Sequence, residues 1–319
     1  LSVIIYRFPS RKIKVIGVTG TKGKSTTTEI INALLEEAGY RTAISNTIRM
    51  KIGDTSKPNL YKMSMPGRFF IQRFIRDAVK EKCDYIVMEI TSQGVLNFRH
   101  KFININSLVF TNLSPEHIEA HGSYENYRDA KLAIANELSK SNKRPRILVV
   151  NGDDKESEKF LSYDADKKIK FYKRNDIESS LVGDFNQYNI SGAYSLCKEL
   201  GINEDTIKQG IKDFKQVLGR VQFIKEKQNF DVVVDYAHTV DSLEKLYQAF
   251  PNKRKIGVLG GTGGGRDIWK RSEMGKIAEK YCDYIILTNE DPYDENPENI
   301  VKDVAKGIKN KPFDSFIKV

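Results

Sequence analysis

The residues best suited to chemistry come early. "TGTKGKSTT" (Thr19–Thr27) follows the apolar run Lys14–Val18 and precedes a helical pattern. A strand, a glycine-rich turn and a helix start gather several backbone N–H groups around one point, where the helix dipole adds positive potential. Gly20 and Gly23 let the backbone approach an anion closely, with Thr21 and Lys22 between them. Lys24 then reaches the β- and γ-phosphates of a nucleotide, and Ser25 or Thr26 offers a hydroxyl to Mg²⁺. The match is to the short form G-T-x-G-K-[ST], since Val18 stands where the longer pattern wants glycine. An ordinary turn with a helix cap is the plainer reading. It is set aside because glycine, lysine and hydroxyls coincide at a strand-to-helix junction. Kinases, ATPases and ligases all use such a loop, so it does not name a reaction.

A second cluster wants a cation. Glu89 closes the apolar run "YIVMEI", and a carboxylate buried at a strand end is costly unless donors or a cation meet it. In "FTNLSPEHIEAHGSYENYRDAKLAIANEL" (110–138), His117 and His121 are four residues apart. Zinc would need a third ligand at suitable spacing, and none is evident nearby. Mg²⁺ held by Glu89, phosphate oxygens and one histidine fits better beside an ATP loop. Lys131 shares a helix face with Tyr124, Tyr127, Ile134 and Leu138. A lysine there is either a stem snorkelling to water or an amine held inward with a lowered pKa. The inward amine can react with CO₂, and the resulting carbamate is an oxygen ligand.

These groups need a scaffold. Strand-like runs at Lys14–Thr19, Tyr85–Ile90, Ser107–Thr111, Ile147–Asn151 and Lys168–Tyr172 alternate with helical patterns. The alternation predicts an α/β fold with a parallel sheet and helices on both faces. Ile30, Ile31, Leu34, Leu35 and Ala38 line one face of the helix after the loop, and Gly39 ends it. A further series, Asp231–Asp235, Lys255–Leu259 and Tyr284–Thr288, reads as a second, smaller Rossmann-like α/β domain. Its last element is a helical stretch at Asn299–Ile308, which leaves this domain unfinished. The expected division is a linker remnant (1–12), a central ATP-binding domain (13–217) and an apparently truncated C-terminal domain (218–319).

Bulk properties narrow the class. With 319 residues, 39% of them hydrophobic, the chain has enough length for two cores. No apolar stretch reaches the roughly 18 residues of a membrane span. The sequence opens at Leu1 without Met, so an upstream segment with membrane association stays open. Cys83, Cys197 and Cys282 form neither a disulfide framework nor a zinc pattern, which points to a reducing cytoplasm. The net charge of +10 suits a solvated surface or an anionic substrate. No dense basic run with interleaved aromatics argues for nucleic acid.

Taken together and in order, "GTKGKST" (20–26), "VMEITSQ" (87–93), "FTNLSPEHIEAHGSYENYRDAK" (110–131), "GDFNQYN" (183–189), "LGR" (218–220), "DYAHTVDSLE" (235–244), "GGGRDIWKR" (263–271) and "TNEDPYDENP" (288–297) resemble the Mur ligases. These are ATP-dependent amide-forming enzymes of peptidoglycan precursor synthesis, and the nearest resemblance is to the tripeptide-forming branch. The resemblance implies that Gly20, Thr21, Lys22, Gly23, Lys24, Ser25 and Thr26 hold the ATP phosphates. It implies that Ser25, Glu89 and His117 serve one Mg²⁺, and that carbamylated Lys131 places a second. Asn186 and Asn189 would lie near adenine, Arg220 near the phosphates, Asp235 near the ribose and His238 near the nucleotide. Lys24, Lys131, His117 and Arg220 would carry catalysis. Ser64, Pro66, Thr91, Ser92, Arg266, Asp267 and Lys270 would face the substrates, an anionic muropeptide-type carboxylate and a free amino acid.

The sequence departs from the family in places. "SMP" (64–66) replaces "TTP", "TSQ" (91–93) replaces "SSH", Val240 replaces a proline, and "EDPY" (290–293) replaces "DNPR". The family's UDP-gripping domain would precede residue 10, and its late "DRREAI" and "GKGHE" stretches would follow residue 319. A longer segment normally sits near residues 174–181. The expected reaction is amide formation through an acyl phosphate. Two alternatives stand beside it, a Mur-like nucleotide-binding protein without ligase activity and a ligase of the folylpolyglutamate or cyanophycin type.

Overall fold

The computed structural model describes residues 1–61, 63–116, 118–265 and 268–317. It divides into two compact units, residues 1–181 with 185–218, and residues 182–184 with 219–319.

The first unit opens with α1 (Ser2–Ile5) and a 3-10 turn (Pro9–Arg11). Then follow β1 (Lys14–Thr19), α2 (Lys24–Glu37), β2 (Thr42–Ser45), β3 (Arg49–Ile52), β4 (Thr55–Pro58), α3 (Arg68–Lys80) and β5 (Tyr85–Glu89). After them come α4 (Ser92–Leu96), β6 (Ser107–Phe110), α5 (Ile118–His121), α6 (Tyr124–Ser139), β7 (Ile147–Asn151), α7 (Ser157–Leu161), β8 (Lys167–Phe171), α8 (Asp184–Glu199) and α9 (Glu204–Asp213). The sheet order is β4-β3-β2-β5-β1-β6-β7-β8. From β2 to β8 every pairing is parallel, while β3 and β4 form an antiparallel edge.

Strand alternation divides the core. Val15, Ile86, Met88, Leu108, Phe110, Leu148 and Val150 face one layer, which packs with Ile71 and Ile75 of α3 and Ile134 and Leu138 of α6. Ile16, Val18, Ile44, Val87, Val109 and Val149 face the other, against Ile30, Ile31, Leu34 and Leu35 of α2 and Ile190 of α8. Strands buried on both faces read as continuous apolar runs, which is why β1, β5, β6 and β7 are visible in the sequence. The chain steps from β1 outward to β2, returns through β5 and then continues on the far side of β1 through β6. This reversal leaves a crevice at the carboxyl ends of β1, β5 and β6, the place where open α/β sheets bind ligands.

The second unit contains β9 (Gln222–Ile224), β10 (Val232–Val234), α10 (Val240–Gln248), β11 (Ile256–Leu259), α11 (Trp269–Tyr281), β12 (Tyr284–Thr288), α12 (Pro297–Ala305) and β13 (Phe313–Phe316). Strands β11, β12 and β13 form a parallel sheet over Leu243, Met274, Ala278, Val301 and Val304. Two expectations are corrected. The run 231–235 pairs antiparallel with β9 in its own two-stranded ribbon, apart from the parallel series. The helix near 299–308 is followed by one more strand, β13, which pairs with β12.

Candidate active site

The phosphate loop is held by backbone conformations only glycine takes easily. Gly20 has φ +148° and Gly23, capping α2, has φ +81°. A Cβ on Gly20 would stand 1.9 Å from Thr111 Oγ1, and one on Gly23 would stand 2.1 Å from Asn189 Oδ1. The loop therefore lies against the residues after β6 on one side and against α8 on the other. Asn112 secures it twice, since its carbonyl accepts from Thr21 N at 2.8 Å and its Oδ1 from Lys22 N at 2.9 Å. Lys22 forms an ion pair with Glu116 at 2.9 Å. Lys24 folds back so that Nζ donates to the Thr21 carbonyl at 2.8 Å.

Glu89, 3% exposed at the end of β5, is the carboxylate of the site. Its Oε2 accepts from Ser25 Oγ at 2.8 Å, Thr47 Oγ1 at 3.0 Å and Thr47 N at 3.1 Å. Its Oε1 lies 4.0 Å from Lys24 Nζ. One hydroxyl and one carboxylate form a hard oxygen pair. No group of three or more His, Cys, Asp or Glu side chains gathers to hold a metal among the described residues. That donor set fits Mg²⁺, which keeps waters and takes its remaining ligands from substrate phosphates.

Lys131 is turned inward, so its snorkelling reading is corrected. It is 1% exposed, its Nζ donates to the Gly20 carbonyl at 2.7 Å, and it lies 4.7 Å from the centre of the Tyr127 ring. Burial, with Lys24's charge second, holds its pKa well below the usual lysine value; Glu116 and Glu89 oppose the shift. Tyr127 is a strut beneath the loop. Its ring is buried, its hydroxyl lies 2.9 Å from Thr21 Oγ1, and burial raises its pKa.

Comparison with known proteins decides the family. Residues 18–175 match the Mur ligase middle domain, and residues 219–317 match the Mur ligase, glutamate ligase domain. The UDP-N-acetylmuramoyl-L-alanyl-D-glutamate--2,6-diaminopimelate ligase of Geobacillus kaustophilus is 32% identical, over 97% of this chain and 69% of its own length. The UDP-N-acetylmuramyl-tripeptide synthetase of Borrelia garinii is 35% identical, over 97% of this chain and 67% of its own length. The chain belongs to the Mur ligase family. It spans about two thirds of these relatives. Mur ligases are ATP-dependent amide-bond-forming enzymes of peptidoglycan precursor synthesis, and this chain is one of them. Among solved structures, a diaminopimelate ligase superposes with a TM-score of 0.64 at 24% identity, over 96% of this chain and 68% of that one. Mycobacterium tuberculosis folylpolyglutamate synthase superposes at 0.78 with 16% identity, over 98% of this chain and 84% of that one. At these identities the superpositions speak for the fold, which the two enzymes share with this chain.

The first unit of this Mur ligase brings together Gly20, Thr21, Lys22, Gly23, Lys24, Ser25, Thr26, Glu89 and Lys131. Asn189 joins them through Thr27 Oγ1 at 3.3 Å, and Asn189 Nδ2 donates to Asn186 Oδ1 at 3.0 Å. Ser64 lies 2.6 Å from Thr47 Oγ1, and Pro66 follows two residues later. Thr91 caps α4 by accepting from Gly94 N at 3.1 Å, with Ser92 buried beside it.

Arg220, Asp235, His238 and Lys270 belong to the second unit. Arg220 stacks over Tyr236 at 4.6 Å, Asp235 Oδ2 accepts from Val221 N at 2.7 Å, and His238 Nδ1 lies 2.8 Å from the Tyr236 carbonyl. Lys270 is buried at the start of α11, next to Arg271, which pairs with Glu295 at 2.9 Å. His117, Arg266 and Asp267 lie outside the described residues. Sequence reasoning missed Thr47, Asn112 and Tyr127's role as a strut. The first two are ordinary turn residues by type, and only the sheet order brings them to the loop.

Proposed function

We propose that this Mur ligase adds one free amino acid to the terminal carboxylate of a UDP-N-acetylmuramoyl dipeptide, with ATP converted to ADP and phosphate. The observation that carries the reading is the convergence of the phosphate loop, Glu89 and buried Lys131 within one crevice. A protein that only binds a nucleotide can use one Mg²⁺ beside the loop but has no need of a two-metal centre.

The substrate carboxylate attacks the γ-phosphorus of ATP, giving an acyl phosphate and ADP. The amine then attacks the acyl carbon, the amide forms, and phosphate leaves with the former carboxylate oxygen. The first step joins two anions, so neutralising charge is the main need. Lys24 and the N-terminal N–H groups of α2 hold the β- and γ-phosphates. Ser25, Glu89 and His117 would hold one Mg²⁺, and Lys131 as a carbamate would hold a second. When bound, these ions offset the charge of the transferring phosphoryl group. The carbamate forms when the neutral Lys131 amine bonds to CO₂ and releases one proton. Burial keeps that amine neutral more often than an exposed one. Ser64 and Thr91 would face the acyl substrate.

A cytoplasmic location accords with three free, buried cysteines and with ATP use. No described helix is long and apolar enough to cross a membrane.

The test is phosphate release with Mg²⁺-ATP, bicarbonate, UDP-N-acetylmuramoyl-L-Ala-D-Glu and single amino acids, with products read by mass spectrometry. The reading predicts release that needs both acyl substrate and one amino acid, with a matching new amide. Nucleotide binding without any amide for the whole panel contradicts it.

A further inference from the structure

The turn after β2 is built more elaborately than a connection requires. Asn46 is fully buried. Its Oδ1 accepts from Ile48 N at 2.9 Å and Arg49 N at 2.8 Å, while its Nδ2 donates to Thr28 Oγ1 at 3.1 Å and Glu29 Oε1 at 2.9 Å. Its carbonyl accepts from Asn59 Nδ2 at 2.6 Å, and the same amide reaches the Met63 carbonyl at 3.1 Å. The turn is thus tied to α2, which leaves the phosphate loop, and to the segment that carries Ser64.

Thr47 projects from this fixed turn toward both ends of the reaction. Its backbone N–H and its hydroxyl lie 3.1 and 3.0 Å from Glu89 Oε2, and the same hydroxyl lies 2.6 Å from Ser64 Oγ. A hydroxyl has one proton to give. If Thr47 donates to the carboxylate, it accepts from Ser64, and the chain runs Ser64 to Thr47 to Glu89. Donors in such a chain polarise one another. A substrate carboxylate that takes the Ser64 proton weakens the bond Thr47 makes to Glu89. That leaves more negative charge on the carboxylate for a cation.

We propose that Thr47 is a positioning residue that couples acyl-substrate binding at Ser64 to cation binding at Glu89. The proposal rests on the functional reading above, in which Ser64 faces the acyl substrate and Glu89 holds the metal. The coupling is reciprocal, so each ligand tightens the other by the same factor. It also orders events, because Glu89 grips the cation best once the group to be phosphorylated is present.

The experiment measures Mn²⁺ binding by electron paramagnetic resonance, with a non-hydrolysable ATP analogue, with and without UDP-N-acetylmuramoyl-L-Ala-D-Glu. In the unaltered protein the acyl substrate is expected to tighten Mn²⁺ about fivefold or more. Thr47→Val keeps the backbone N–H and side-chain shape, and should reduce that factor to less than about twofold; Thr47→Ser should restore it. If Thr47→Val fails to fold, Ser64→Ala breaks the same chain from its other end and should lose the same coupling. Full coupling in Thr47→Val, or in Ser64→Ala where that stands in, overturns the proposal. So does an unaltered protein that makes the amide with no tightening, and the functional reading then survives. An unaltered protein that neither binds the acyl substrate nor makes the amide overturns both.

Discussion

Lys131 shows what a single side chain can and cannot disclose. Its stem lies on an apolar helix face whether the amine snorkels or turns inward, so spacing alone leaves both readings. The hydrogen bond to Gly20, 111 positions away, decides the orientation. Replacing Lys131 by Ala is expected to lower amide synthesis about a hundredfold or more, the range seen when an electrostatic group is removed from a reacting centre. Added acetate or another short carboxylate should partly restore the rate. Absence of rescue across a concentration series would remove the carbamate from the account. Lys24→Ala is expected to lose turnover to a similar or greater degree, and near-normal synthesis by that variant would contradict the role of the phosphate loop. Gly20→Ala combines an unfavourable backbone angle with a Cβ placed 1.9 Å from Thr111 Oγ1. It should cost about 1–3 kcal/mol of stability and weaken ATP binding, as read from denaturant melts and nucleotide titration. The loop itself was legible in sequence because its chemistry is local. Thr47 was not, since one hydroxyl in a turn has meaning only beside Glu89 and Ser64.

At the scale of elements, most strands buried on both faces were legible, but buried β2 was not; of the two sheet edges, β8 was legible and the β3–β4 edge was not. Strands β1, β5, β6 and β7 are buried along nearly their whole length. Strand β4, by contrast, is exposed throughout and reads "TSKP", so nothing in its pattern announces it. Strand β10 had the right composition, but an apolar run does not say which partner it takes or in which direction. One element-level feature makes a pH prediction. His100, 2% exposed just beyond α4, has its pKa lowered, chiefly by burial, with Glu137 opposing. A histidine with a lowered native pKa binds fewer protons when folded than when unfolded. Its favourable contribution is therefore present above the unfolded value near 6.5 and is lost as pH falls below it. His100→Phe should lack this component. Relative to the unaltered protein, it should gain stability between about pH 7.5 and 5.5, as measured by denaturant melts at both values. A constant difference across that range would exclude the effect.

For the whole molecule, charge and chemistry agree. The net charge of +10 suits a protein whose ATP and muropeptide substrates are both anions. Raising ionic strength from about 0.05 to 0.3 M shortens the screening length about 2.5-fold, and should raise KM for both anions while leaving kcat nearly unchanged. A fall confined to kcat would place the salt effect elsewhere. The proposed reaction turns the substrate carboxylate into an acyl phosphate before the amine attacks. The most direct measurement is oxygen transfer, using an acyl substrate whose terminal carboxylate is labelled with heavy oxygen. Mass analysis of released phosphate should find one labelled oxygen for each amide formed. Amide synthesis with unlabelled phosphate would contradict the account.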